Sequence, residues 1–220
     1  MRFAFLLFLM LLAGLVQLAL AAPMADVDFA AAQAIFLKAA DGDGGAVEEA
    51  VRRFGKLAAT DTPQAPLCAA YLGAAQAMQG RDAWMPWNKM RATERGLATL
   101  DKTLRRLDTA HDKEIFRGTP LSVEIRLVAA STFLALPALF NRFDAGKQIL
   151  REAFASPAYA AASGEIKARL HWQAAIAARR DKDARDEAAH LKQALATVSI
   201  GATAESARRR LLELGVGVGA

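Results

Sequence analysis

The stretch "CAAYLGAAQAMQGR", residues 68–81, decides the fold. It is rich in alanine, the strongest helix former, and holds no β-branched residue to oppose a helix. Pro66 stands at its start and Gly80 at its end, the punctuation of a helix spanning Pro66 to Gln79. Small residues dominate the segment, so a second helix can approach it closely.

The same pattern repeats outward in both directions, with helical segments alternating with short Gly, Pro or Asp breaks. Upstream, helices are expected over Val27 to Ala39 and Ala46 to Ala59, the second with Val47, Ala50, Val51 and Phe54 at spacings of three and four. Downstream, a long helix from Pro86 to Asp108 carries Met90, Leu97, Leu100, Leu104 and Leu107 within about 100° of one another, a core stripe. Thr119-Pro120 is expected to cap a helix to Ala135, broken at Pro137 and resumed over Ala138 to Ala155. Ser163 caps Gly164 to Arg180, Ala184 to Val198 follows, and Thr203 caps Ala204 to Leu214 before the tail at 216–220. No run alternates β-branched and polar residues. The expected fold is therefore all-α, in antiparallel helix hairpins joined by short loops.

Hairpin starts near 66, 120, 164 and 204 suggest a repeat. Leu72-Gly73 and Gly80 resemble the first helix of a tetratricopeptide repeat, although Gln76 and Ala69 stand where that motif has Tyr and Trp. Met85 and Lys89 depart from the expected Ala and Phe of its second helix. "FDAGKQILREAFASP" is more similar to such a helix, through Ala145, Ile149 and Pro157, and "DEAAHLKQALATV" echoes it weakly. The resemblance implies a short tetratricopeptide-like α-solenoid over residues 22–215 and an interaction scaffold as its role.

The leader "MRFAFLLFLMLLAGLVQLALAAPMAD" has one arginine, an apolar run from Phe3 to Val16 and an Ala19-Leu20-Ala21 cleavage site. It reads as a bacterial signal peptide over residues 1–21, and places the mature chain in the periplasm or outside the cell. The alternative is an uncleaved anchor, in which case this segment is the only membrane contact. Cys68, alone in the sequence, cannot form an internal disulfide and reads as a small buried hydrophobe.

Chemistry-bearing constellations are scarce. His111, His171 and His190 show no helical pair spacing, so no metal ligand set is expected. "DGDGG" at 41–45 has Ala46 and Arg52 where a calcium loop needs Gly and Glu. Glu48-Glu49 and Asp186-Glu187 read as helical surface, and Arg208 to Arg210 as a solvated capping helix. No catalytic residue and no cofactor is expected. A net charge of +5, dispersed along the chain, does not argue for nucleic acid.

The expected partner-binding face is built on "GRDAWMPWNKMR", residues 80–91. Trp84 and Trp87 flank Pro86, and Arg91, Arg95, Lys102 and Arg106 fall within about 60° of one another on the helix that follows. They form a basic ridge with an aromatic entrance flanked by Lys89, suited to an acidic protein or peptide partner. The opposing reading is a solvated basic face with both tryptophans plugging the gap between consecutive hairpins, and the compromise buries one and leaves the other partly exposed. Asp101 is expected to pair with Arg105 beside the ridge. Asn141 and Arg142, between Phe140 and Phe143, form a second possible surface. The expected function is a non-catalytic envelope adaptor. The rivals are a periplasmic carrier of a small apolar molecule or lipid, its closed cavity lined by Phe133, Leu136, Phe140 and Trp172, and an enzyme whose histidines and carboxylates converge only in three dimensions.

Overall fold

The computed structural model describes residues 26–217. The expected signal peptide and the end of the tail lie outside them. Helices α1 (Asp26–Ala40), α2 (Gly44–Ala58), α3 (Ala65–Asp82) and α4 (Pro86–Arg105) come first, then a short α5 (Thr109–Lys113). Strands β1 (Ile115–Phe116) and β2 (Thr119–Pro120) form a small antiparallel ribbon. The remainder is α6 (Leu121–Ala135), α7 (Phe143–Ala155), α8 (Gly164–Arg180), α9 (Ala184–Thr197) and α10 (Ala202–Glu213), with single 3-10 turns at Ala138–Phe140 and Pro157–Ala161. The fold is all-α, as the alanine content and short breaks implied.

Four hairpins, α1–α2, α3–α4, α6–α7 and α8–α9, stack in chain order, and α10 closes the stack against α8 and α9. Their first helices also touch in succession, α1 to α3 to α6 to α8, so these form one layer and the second helices the other. No helix among the described residues is long and apolar enough to cross a membrane.

The tightest junction is α3 against α4. A Cβ added to Gly96 would lie 2.5 Å from both the Ala77 nitrogen and the Gly73 oxygen, and one on Gly73 would lie 2.9 Å from the Gly96 oxygen. A Cβ on Gly80 would overlap Thr93 Oγ1. The glycines that carried the repeat resemblance thus sit where two backbones meet, which is why they are glycine. Around this junction the main core gathers an aromatic knot. Phe54 stacks on Tyr71 at 4.8 Å, and Phe29 and Phe36 meet Tyr71 edge-on at 5.5 and 5.0 Å. A second cluster under α8–α10 holds Leu191 and Leu211, with Trp172 packed on it.

Several expected ends move. Asp43 and Ser163 do cap their helices, accepting from Gly45 and Ala46 and from Ile166. Thr119 is not a cap: it lies in β2, where its hydroxyl donates to Ser163 Oγ at 3.0 Å and so ties the ribbon to the start of α8. Thr203 likewise hydrogen-bonds Glu165, and Gly201 at φ +98° precedes α10 instead. Asp108 lies outside the long helix and caps α5 through Ala110 and His111. Met90 leaves the core stripe and is 39% exposed, because the face it shares with Pro86 looks into a cavity, not a neighbouring helix.

Candidate functional site

Helices α1, α3, α6 and α8, with the first turns of α4, enclose a cavity of about 740 Å³. Phe36, Tyr71, Ala74, Met78 and Val128 make its apolar floor. Leu37, Met90 and Leu139 also line it and remain exposed, so the cavity is a slot open to solvent rather than a sealed tunnel. Its charged lining is cationic, Arg81, Lys89 and Arg169, with no carboxylate among the described residues. Arg81 is partly neutralised by Asp82 and also donates to the Ala39 carbonyl at 2.9 Å. Leu136 and Phe140 line the slot as the carrier reading expects. Phe133 and Trp172 do not: the first is 2% exposed in the core, and the second packs against the α8–α10 cluster.

Beneath the floor runs a polar chain that sequence spacing did not reveal. Tyr71 donates to the Glu124 carboxylate at 2.7 Å, Gln33 Nε2 donates to the Tyr71 oxygen at 2.9 Å, and Arg117 donates to Gln33 Oε1 at 2.7 Å. Burial raises the Glu124 pKa, opposed by the Tyr71 hydrogen bond and by the positive charge of Arg169. Burial, and next the charge of Glu124, raises that of Tyr71. These residues are 53 positions apart on helices from different hairpins, so only the stack joins them.

The predicted docking residues divide between surfaces. Trp84 and Trp87 are 86% and 60% exposed, which corrects the expectation that one of them plugs the gap between hairpins. The corner is filled by the glycine crossing and needs no aromatic plug. Arg91, Arg95, Lys102 and Arg106 are all exposed, as a ridge requires. Lys89 is not part of that ridge. Two positions from Arg91 on a helix, it points the other way, into the slot, where its Nζ donates to the Arg81 carbonyl at 3.2 Å. A shallower hollow of about 450 Å³ lies beside the ridge between α2, α3 and α4, where Arg91 and Arg95 face Glu48, Asp82 and Gln79.

Arg142 is structural. Its guanidinium clasps Asp101 at 2.8 and 3.1 Å and covers the Phe133 ring at 5.1 Å. Asp101 is thereby taken by α7's leading turn and not by Arg105. Asn141 is exposed with φ +50°, a left-handed turn residue.

Two further clusters depart from the surface reading. Glu187 is 3% exposed and is held by Arg210 at 2.6 and 3.2 Å, so neither is a solvated face. His171 and His190, on α8 and α9, face each other Nδ1 to Nδ1 at 3.0 Å. Tyr159 meets the other His171 nitrogen at 3.1 Å, Asp186 lies 3.8 Å from the other His190 nitrogen, and Phe154 packs on both rings. Burial and the neighbouring His190 push the His171 pKa down to about 4. Neutral His171 can accept from the Tyr159 hydroxyl at Nε2 and donate from Nδ1 to His190 Nδ1, while Asp186 at 3.8 Å is beyond hydrogen-bond reach. No group of three or more metal-ligating side chains occurs among the described residues.

Comparison with protein-family models, with curated proteins and with solved structures finds no match to this chain.

Proposed function

We propose that this protein is a tetratricopeptide-like adaptor that binds an amphipathic segment of a protein partner in the slot across α1, α3, α6 and α8. The observation that carries the reading is the slot itself. It crosses four first helices, its floor is apolar, its charges are cationic, and it opens at exposed aliphatic side chains. A helix with an apolar stripe and acidic flanks is complementary to that surface. Binding without catalysis is part of the same reading, as is an envelope location, which rests on the leader sequence. A carrier of a small amphipathic anion is the second reading, favoured by Arg169 at the edge of the apolar floor.

Fluorescence anisotropy with labelled amphipathic helices, matched in length and differing in charge, tests the proposal. Ala135 is exposed and lines the slot, so Ala135→Trp obstructs it without entering the core. Acidic amphipathic helices should bind, and Ala135→Trp should weaken them at least ten-fold. Unchanged affinity in that variant, or saturable binding of a long-chain carboxylate with no peptide binding, rejects the adaptor reading.

A further inference from the structure

On the opposite side of α4 from the slot lies a surface the proposed adaptor role does not use. Taking about 100° per residue, Trp87, Arg91, Arg95, Ala98, Lys102 and Arg105 fall within one sector of about 80°. Each of them is exposed. Trp87 to Arg105 spans about 27 Å along a helix axis. The sector is therefore a straight basic line with an indole at one end. Trp84 and Met85, exposed in the turn before the helix, extend that apolar end. Charges that would neutralise the line stand off it or are engaged. Asp101 is held by Arg142 and Asp82 by Arg81, whereas Glu48, on α2 and bonded only to the neutral Gln79 amide, keeps its charge across the hollow from Arg91 and Arg95. Glu94 alone borders the sector, about 60° from Arg91.

We infer that this face docks the protein on an anionic phospholipid surface, with Trp84 and Trp87 at headgroup depth and the arginines and lysine against phosphates. Three features favour a bilayer over another anion. A straight helix meets a plane along one line, and the cations of α4 lie on such a line. Indole, apolar in body with one N–H donor, prefers the membrane interface, and two exposed indoles beside Met85 supply apolar area that a purely ionic contact would not need. Finally, Arg91, Arg95, Lys102 and Arg105 are spaced by four, seven and three residues. Acids fixed on a folded partner would have to match that spacing, whereas headgroups diffuse to meet it. Ala98, at the middle of the line, leaves no bulk to hold the helix off the surface.

This inference is independent of the slot, since the two surfaces look away from each other across α4. Its test is tryptophan emission of the full chain titrated with vesicles of phosphatidylcholine, alone or with a quarter phosphatidylglycerol, including lipids brominated near the headgroup. The anionic vesicles should shift the emission to the blue and the brominated lipids should quench it. Salt of about 0.5 M should reverse both, because exposed charges are screened at that strength. Each neutralised cation costs about five-fold in partition, so Arg91→Gln with Arg95→Gln should weaken binding about 25-fold. Trp84→Ala with Trp87→Ala should abolish the quenching. Equal response to neutral and anionic vesicles, or no effect of the paired arginine substitutions, overturns the inference. So does an emission change with polyglutamate or duplex DNA when vesicles leave it unaltered.

Discussion

Replacing Gly96 by alanine sets two effects of opposite sign against each other. Alanine in a helix interior is favoured over glycine by about 1 kcal/mol. The added Cβ would, however, lie 2.5 Å from the Ala77 nitrogen and from the Gly73 oxygen, and 3.1 Å from the Ala77 Cα. These are backbone atoms, so no rotamer change relieves the overlap, and α4 must withdraw by about 1 Å to restore ordinary contact. Withdrawal opens the seam filled by Leu97 and Leu100, both within 5% of full burial. Overpacking of this kind costs about 1–3 kcal/mol. Set against the helix preference, this leaves a net loss of up to about 2 kcal/mol, a fall in Tm of up to about 8 °C for a chain of this size. Gly55 in α2 supplies the control. Its Cβ would meet only Leu72 Cδ1, at 3.9 Å, so Gly55→Ala should raise stability by about 0.5–1 kcal/mol. Calorimetry and urea unfolding of both variants measure the difference. A Gly96→Ala protein as stable as Gly55→Ala would refute the close crossing of α3 and α4.

Glu124→Gln should change the pH dependence of folding. Because the folded-state pKa of Glu124 is raised, its stabilisation is present below the ordinary glutamate range and lost as pH rises through the raised value, so the variant should lack that decline in urea titrations at stepped pH. His171 works in the other direction: with its pKa near 4, the unfolded chain takes up a proton from about pH 6.5 downward that the folded chain refuses, and stability falls between those limits. The full linkage would be about 3 kcal/mol, reduced to about 1–2 by partial solvent exposure, and His171→Phe should remove it in acid-unfolding curves. Arg210→Met strands the buried Glu187 carboxylate and should cost about 3–5 kcal/mol in urea unfolding at pH 7, whereas Arg209→Met, exposed and outside that pair, should change little.

What was legible in the sequence was local. Alanine content, the Pro66 start and the Asp43 and Ser163 caps act within a turn of themselves, and the helices follow them closely; Gly80, read as a stop, lies instead inside α3, which runs on to Asp82, because its missing side chain serves the crossing with α4. Angular reasoning placed the ridge of Arg91, Arg95, Lys102 and Arg106, which is exposed as a line, but not Met90, whose stripe position faces the cavity. Sequence proximity alone groups Lys89 with the tryptophans, and two residues on a helix turn about 200°, so it lies in the slot and not with Trp87. Interactions between hairpins were not legible. Asp101 is 41 residues from Arg142, Glu187 is 23 from Arg210, and His171 is 19 from His190. No periodicity within one helix selects such partners. Tyr71 and Glu124 read as ordinary members of alanine-rich helices until the stack buries them together.

The position of both surfaces follows from one packing choice. With glycine at the α3–α4 crossing, α4 is held by a narrow seam of Thr93, Gly96, Leu97, Leu100 and Thr103. A helix packed through bulkier residues would stand farther from its neighbour and expose less of its own surface on either flank. Here one flank is free to close the slot through Pro86, Lys89 and Met90, while the side away from it carries the basic line. A segment seated in the slot therefore leaves Arg91, Arg95 and Lys102 uncovered, and a surface pressed against the line leaves Leu37 and Leu139 open. The two proposed ligands need not compete. Any coupling between them has to pass through the seam itself, where Gly73, Ala77 and Gly96 allow no movement of one helix without the other.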